Sequence, residues 1–479
     1  MQMPAKMGTV HIVGIGGIGM SAIAELLNAK GYVAQGSDQK ESANVKRLRA
    51  KGIRVFVGHD VVNLVGAKYV VVSTAVKAGN VELEAARAKG LPIIGRAEML
   101  AELMRLYATV AVTGTHGKTT TTSLIAHLFR AGGKDPTVIT GGIINDWGSN
   151  ARLGDGEWMI VEADESDGTF IKIPTQIGIV TNIDPEHLDY FKTVADMHQQ
   201  FQTFLRNIPF YGLAVACLDH PVLREMLERL ELRRNGRRLL TYGVSPAADL
   251  VLRSARVEGQ ATYFDADLGP RLKGGARTLR NWSVPVPGQH NALNALAAIA
   301  AASEAGIPDD TIRAAMAAFA GVKRRFQLTG TWNGVAIYDD YGHHPVEIAA
   351  VLKAARAASK GRVIAIVEPH RFSRVRDLFG EFASCFEDAD HVIVTPLYSA
   401  GELPIAGIDH NALAAAVRGR GHGSVATVNS ERDLAAAVKA YARPGDAVVC
   451  LGAGNSTEWA HALPEWLAKE PMRVGGCLA

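Results

Sequence analysis

The chain has 479 residues, more than one hydrophobic core accommodates, and a prior of roughly 150 residues per domain predicts three domains. Apolar residues make up 48% and charged residues 21%, an ordinary globular balance, and a formal charge of +3 is too small to call for nucleic acid or a membrane surface. Cys217, Cys385, Cys450 and Cys477 stand far apart with no CxxC spacing, and no apolar run nears the ~20 residues of a bilayer span, so a reduced, cytoplasmic protein without membrane insertion is expected.

The first unit is predicted over residues 1–107. The segment MQMPAKMGTVHIVGIGG enters a strand almost at once and lacks the pattern of a signal peptide. Strand signals at 9–13, 31–36, 53–57 and 69–73 alternate with helical ones at 20–29, 44–51 and 82–89, which implies a parallel sheet with right-handed crossovers. Gly14-Ile15-Gly16-Gly17-Ile18-Gly19 matches GxGxxG between the first strand and helix, and Asp38 follows near the end of the second strand. This pattern places a diphosphate at a helix N-terminus with a ribose nearby. NAD meets that description, a nucleotide sugar meets it equally, and close helix–strand packing without a ligand also produces it.

The second unit is predicted over 108–320. A β-rich run at 109–113 leads into Gly114-Thr115-His116-Gly117-Lys118-Thr119-Thr120 and then a helix to about residue 131. Strand, glycines, Lys-Thr and helix are the parts of a phosphate loop. The glycines let backbone N–H groups turn inward, Lys118 reaches the terminal phosphates, and the Thr119 hydroxyl is suited to Mg2+. The pattern departs from GxxxxGK, which needs glycine where Val112 stands, so the loop is tighter. Two further strands, 158–162 and 177–181, run into EADESD (162–167) and TNIDPEHLD (181–189). Carboxyl ends of parallel strands share one edge, so Thr119, Glu162 and His187 are expected to converge there as ligands of a hard cation. The histidine is less usual for Mg2+ and suggests two ions with Mn2+ as a tolerated substitute. Residues 240–287 read as β-rich, and 291–305 and 309–320 as helical.

The third unit is predicted over 321–479, after the basic junction Lys323-Arg324-Arg325. Strands are expected at 335–338, 363–367, 391–395 and 447–451. DDYGHHP (339–345) follows the first, and PHRFSR (369–374) the second. Arginines at strand ends bind carboxylate or phosphate in bidentate fashion, and one facing a phosphate loop stabilises charge on a transferred phosphoryl group.

Taken together, GIGGIGMS (14–21), GTHGKTTTT (114–122), EADESD, TNIDPEHLD, HNALNA (290–295), DDYGHHP and PHRFSR resemble the Mur ligases of bacterial cell-wall synthesis. The resemblance spans nearly the whole chain. It implies an α/β protein of three domains: a Rossmann-like N-terminal domain for a UDP-linked substrate, a central P-loop ATPase domain, and a C-terminal α/β domain that binds the amino acid and closes on both. Gly16, Gly17, Ile18, Gly19, Asp38 and Ser73 are the implied UDP contacts. Gly114, Thr115, His116, Gly117, Lys118, Thr119, Thr120, His290, Asn291, Asn294, Arg325 and Asp340 are implied for ATP. Thr119, Glu162 and His187 are implied for Mg2+. Lys118, His187, His343, Arg371 and Arg374 are the implied catalytic set, the last three placing the amino acid and the muramoyl carboxylate.

The implied reaction joins L-alanine to UDP-N-acetylmuramate through an acyl phosphate, in peptidoglycan precursor synthesis, by a monomer or homodimer. A ligase of recycled murein tripeptide is the nearest rival, and GHHP after DDY favours L-alanine. An NAD-dependent oxidoreductase leaves the loop at 114–119 without a purpose. A non-catalytic nucleotide switch predicts ATP binding with no amide product.

Overall fold

The structure is a computed structural model that describes residues 8–469 apart from 74 and 78, and apart from the side chains of 18, 188 and 189. Cys477 lies outside the described residues. The chain forms two compact bodies. The first holds the described residues up to Val251 with Gly269–Ala276 and Ala297–Ala315, and the second holds Leu252–Leu268, Arg277–Leu296 and the described residues from Met316 onward.

Two sheets build the first body. The N-terminal sheet runs in the order Arg54–Val57, Ala34–Asp38, Thr9–Val13, Ala67–Val72, Ile93–Gly95, all parallel. Its order reverses at Thr9–Val13, and such a switch point leaves a crevice beyond the strand carboxyl ends. The predicted strand at 31–36 lies two to three residues later, at Ala34–Asp38, because Lys30 caps the preceding helix and Gly31 takes φ +82° to end it. The larger sheet has a parallel centre of Arg238–Gly243, Leu213–Cys217, Ile177–Val180, Ala108–Thr113, Trp158–Glu162 and Thr137–Ile144, closed by antiparallel Ser149–Arg152. Its central strands are apolar on both faces, as burial under helices on two sides requires, and Val110, Val112, Ile160 and Ile179 are fully buried. Helix Lys118–Ala131 packs on them through Leu124, Ile125 and Leu128, and Phe129 meets Trp158 edge-on at 5.2 Å.

In the second body, Ala261–Leu268 pairs antiparallel with Arg277–Val284. A six-stranded sheet follows in the order Gln327–Trp332, Val335–Asp340, Ala447–Leu451, Val363–Val367, His391–Val394, Val425–Thr427, parallel except for its first pair. Apolar clusters cover both of its faces, one around Leu352, Phe382 and Val449, the other around Ile364, Leu434 and Leu463. Among the described residues, no helix is long and apolar enough to cross a membrane.

One carboxylate lies deep in the N-terminal sheet. Glu82, in the first turn of helix Val81–Ala88, is 0% exposed. It accepts from His11 Nε2 (3.3 Å), Ser37 Oγ (2.5 Å), His59 Nδ1 (3.3 Å), Asn63 Nδ2 (2.7 Å) and the Asp60 N–H (3.3 Å). The Gln35 amide donates to His11 Nδ1 at 3.4 Å, which leaves Nε2–H for Glu82. Burial would raise this carboxyl, but the donors from His11, Ser37 and Asn63 more than offset it and hold it at about 2. A value depressed in the folded state stabilises the fold above the ordinary value near 4.5, and that contribution is lost as pH falls toward 2. Wild type is therefore expected to lose stability between pH 4.5 and 2 more steeply than Glu82→Gln, read as urea midpoints against pH; parallel curves would remove Glu82 as the cause.

Candidate functional site

The loop at 114–117 follows strand Ala108–Thr113, and Gly117 at φ +80° opens helix Lys118–Ala131. Its shape is set from the end of the neighbouring strand. Thr115 N–H donates to Asn182 O (3.2 Å), and His116 N–H to Asn182 Oδ1 (2.7 Å). Asn182 Nδ2 (3.0 Å) and Thr181 Oγ1 (2.6 Å) both donate to His116 O. The Thr115 hydroxyl donates to Asp184 O and accepts from Asp184 N–H, at 3.0 and 2.9 Å. The His116 ring, expected near ATP, turns to Asp184 at 3.3 Å, and His220 Nε2 reaches the other oxygen of that carboxylate at 3.2 Å. Leu223 N–H donates to His220 Nδ1, so Nε2–H faces Asp184. Burial would raise the Asp184 carboxyl, but the two imidazoles hold it well below the usual range.

Lys118 Nζ donates to Gly114 O (2.6 Å), Thr115 O (3.0 Å) and Glu165 Oε1 (2.9 Å), with Glu165 Oε2 at 2.8 Å. Burial disfavours the ammonium, yet Glu165, Asp164 and Glu162 keep it protonated. Burial pushes the Glu165 carboxyl above its ordinary value even beside that charge. The sequence motif contains Glu165 but gave no reason to single it out, because its role depends on the turn that aims it at Lys118.

Thr119 Oγ1 donates to Glu162 Oε1 at 3.1 Å, and Glu162 Oε2 accepts from Thr140 Oγ1 (2.8 Å) and Gly141 N–H (2.7 Å). Thr119 and Glu162 thus meet as expected. His187 sits at φ +55°, a region costly for a non-glycine residue, with Nε2 3.9 Å from Glu165. Ligand atoms of Asp164, Glu165 and His187 lie within 4.8 Å of one another, so His187 is grouped with carboxylates outside the predicted set. Carboxylate and hydroxyl oxygens with one imidazole fit Mg2+ or Mn2+. Thr120 is buried in the first turn of the helix.

In the N-terminal sheet, Gly17 precedes helix Ile18–Ala29 as its N-cap. Gly14 and Ile15 N–H groups donate to Ser37 O (2.8 and 3.0 Å), and Gly16 N–H to Asp38 Oδ2 (2.9 Å). Asp38 Oδ1 accepts from Lys40 N–H at 3.2 Å, so both oxygens of the expected ribose contact also hold backbone. A side chain on Gly16 would place Cβ 2.8 Å from Asp38 Oδ2, and one on Gly19 would sit 3.0 Å from the Arg96 guanidinium. Ser73 lines a cleft of about 440 Å³ with Lys77, Arg87, Arg96, Asp167 and Lys172. These four basic side chains carry no motif, which is why sequence reasoning passed over them.

The second body carries the remaining predicted residues. Asn291 Nδ2 donates to Pro287 O (2.9 Å) and His290 Nε2 (3.0 Å), and Asn294 Nδ2 to Asn291 Oδ1 (3.2 Å). Burial, reinforced by the charge of Arg325, lowers His290 to about 4. Asp340 ends its strand and accepts N–H groups of Phe326 and Gly342, both at 2.7 Å; burial raises it to about 6 against the pull of Arg325. His343 Nδ1–H donates to Tyr341 O at 2.9 Å, which leaves Nε2 as an acceptor, and its ring lies 5.7 Å from His370. Its neighbour His344 caps helix Pro345–Ala358. Arg374 donates to His370 Nδ1 (3.1 Å), and Arg371, at φ +68°, pairs with Glu402 at 2.6 Å. Glu402, outside every motif, also accepts from Ser373 N–H and Oγ.

Three family models match along the chain: the Mur ligase family catalytic domain at residues 9–108, the Mur ligase middle domain at 112–302, and the Mur ligase glutamate ligase domain at 324–454. The chain belongs to the Mur ligase family. This Mur ligase is 57% identical over 469 residues to the UDP-N-acetylmuramate–L-alanine ligase of Azorhizobium caulinodans, covering 98% of this chain and 100% of that one. It is 58% identical over 470 residues to the enzyme of the same name from Brucella anthropi, covering 98% and 99%. Among solved structures it resembles the UDP-N-acetylmuramate–alanine ligase of Thermotoga maritima, at 28% identity and a TM-score of 0.74, over 96% of this chain and 98% of that one. The murein peptide ligase of Psychrobacter arcticus is also similar, at 25% identity and 0.64, over 97% and 99%. The three-domain α/β architecture of the family is that of this Mur ligase.

In this Mur ligase Gly114 has φ +127°, and a Cβ there would lie 2.2 Å from Thr181 Oγ1 and 2.9 Å from Asn182 O. Gly114→Ala is expected to weaken ATP binding at least about tenfold, a loss of ~1.4 kcal/mol, with an unchanged circular dichroism spectrum. Calorimetric titration checks this, and wild-type affinity would mean that the loop does not hold the nucleotide.

Proposed function

We propose that the chain is an ATP-dependent ligase that joins L-alanine to the carboxylate of UDP-N-acetylmuramate in peptidoglycan precursor synthesis. The observation that carries the reading is the pairing of Lys118 with Glu165 and of Thr119 with Glu162 at one helix start, in a chain alike over its length to ligases of that name. Residues 1–107 bind the UDP substrate, 108–320 the ATP, and 321–479 the amino acid. The loop N–H groups and Lys118 receive the phosphates of ATP, while His290, Asn291 and Asn294 receive the adenine and Arg325 and Asp340 the rest of the nucleotide. Thr119, Glu162 and His187 hold Mg2+, in two ions for which Mn2+ substitutes; when bound it neutralises phosphate oxygens. Gly16, Gly17, Ile18, Gly19, Asp38 and Ser73 receive the UDP moiety. The muramoyl carboxylate attacks the γ-phosphate to give an acyl phosphate and ADP, and the L-alanine amine then displaces phosphate. His343, Arg371 and Arg374 orient the amine and the carboxylates, so catalysis is chiefly positioning and charge neutralisation. The reading sets the enzyme in the cytoplasm, as a monomer or homodimer.

Phosphate release with UDP-N-acetylmuramate, screened over amino acids with mass detection of the amide, is expected to favour L-alanine over murein tripeptide; preference for tripeptide would replace the reading. Lys118→Ala is expected to lose more than ~10³-fold in turnover with the fold intact, since it removes charge stabilisation of phosphoryl transfer. Glu162→Ala and His187→Ala are expected to move the Mg2+ titration to higher concentration, and an unchanged midpoint would remove them as ligands.

A further inference from the structure

We propose that Glu82, remote from every motif, is a positioning residue for the diphosphate loop at residues 14–19, acting through Ser37. The proposal rests on the reading of that loop as the UDP site. Its ground is a chain of contacts inside the N-terminal sheet. Ser37 and Asp38, at the end of strand Ala34–Asp38, take up three successive loop N–H groups, those of Gly14, Ile15 and Gly16. The direction of those residues fixes where the remaining loop N–H groups point. Ser37 is itself 0% exposed, and its hydroxyl donates to Glu82 Oε2 while it accepts from His59 Nδ1–H at 2.9 Å.

Glu82 also ties in the other wall of the site. It lies just past Asn80, whose side chain caps helix Val81–Ala88 through the N–H groups of Glu82 and Leu83. Ser73 follows strand Ala67–Val72, seven positions before this cap in the chain. One carboxylate therefore joins the strand end that holds the glycine loop to the helix start at Asn80. A buried charge is an expensive device for packing alone, and five donors around it fix both oxygens in direction as well as in place.

The test measures KM for UDP-N-acetylmuramate and for ATP, together with kcat and calorimetric binding of UDP, in Glu82→Gln, Ser37→Ala and Gly16→Ala. Glu82→Gln puts an amide NH2 or a weaker acceptor before donors that need a carboxylate, and Ser37→Ala cuts only the link to the loop. Both are expected to raise KM for the UDP substrate and the Kd of UDP, by about tenfold and about threefold respectively, with kcat and the ATP KM within twofold. If Glu82→Gln fails to fold, Ser37→Ala, which leaves Glu82 with its histidine and asparagine donors, decides by the same split. UDP affinity within error of wild type in folded Ser37→Ala overturns the positioning role, as does a fall in kcat with no change in either KM, which a smaller folded fraction would produce. Gly16→Ala separates the two ideas: lost UDP binding there beside unchanged Ser37→Ala sinks only the role of Glu82, whereas unchanged binding in Gly16→Ala removes the loop as the UDP site and the proposal with it.

Discussion

A loop that binds an anion through backbone N–H groups can spend only some of them on its own shape, and it cannot hold that shape from within. At residues 114–117 the support comes instead from Thr181, Asn182 and Asp184, which grip Thr115 and His116 through side chain and backbone alike. Parallel pairing of Ala108–Thr113 with Ile177–Val180 brings the two segments side by side, so sheet register fixes loop geometry. The first glycine loop is solved in the same manner, with Ser37 and Asp38 as the support. In both places the neighbouring strand supplies rigidity and the glycines supply close approach.

That division explains what the sequence made legible. Glycines, Lys118 and Thr119 are adjacent in the chain and carry a recognisable order, and the apolar runs at 109–113, 158–162 and 363–367 fall where buried parallel strands lie. The groups behind them act across 22 to 69 positions, as Gly16 with Asp38 and Thr115 with Asp184 do, and no local pattern announces such partners. Glu165 is a case between the two. It stands inside a quoted motif, yet its pairing with Lys118 across 47 positions appears only once the turn after Trp158–Glu162 is folded. The hairpin Thr137–Ile144 and Ser149–Arg152 was illegible because two glycines and an asparagine break its alternation.

In the C-terminal sheet, the twin histidines divide their work by one position in the chain. His344 spends its ring on the first turn of a helix, and His343 turns Nδ1 to the Tyr341 carbonyl. Arg371 holds a left-handed backbone beside the acid that orients its guanidinium, a local strain supported by Glu402 and by its N–H bond to Tyr398 O.

The ammonium of Lys118 has every N–H occupied, by two loop carbonyls and one carboxylate. A nucleotide that enters does not meet a waiting charge; it competes for one already satisfied. Affinity at this loop is a difference between two well-bonded states, smaller than the contacts of either would suggest. For a catalyst that must discharge its spent nucleotide after every cycle, that exchange sets a ceiling on how firmly the product is kept, and it does so with a group that never leaves the protein.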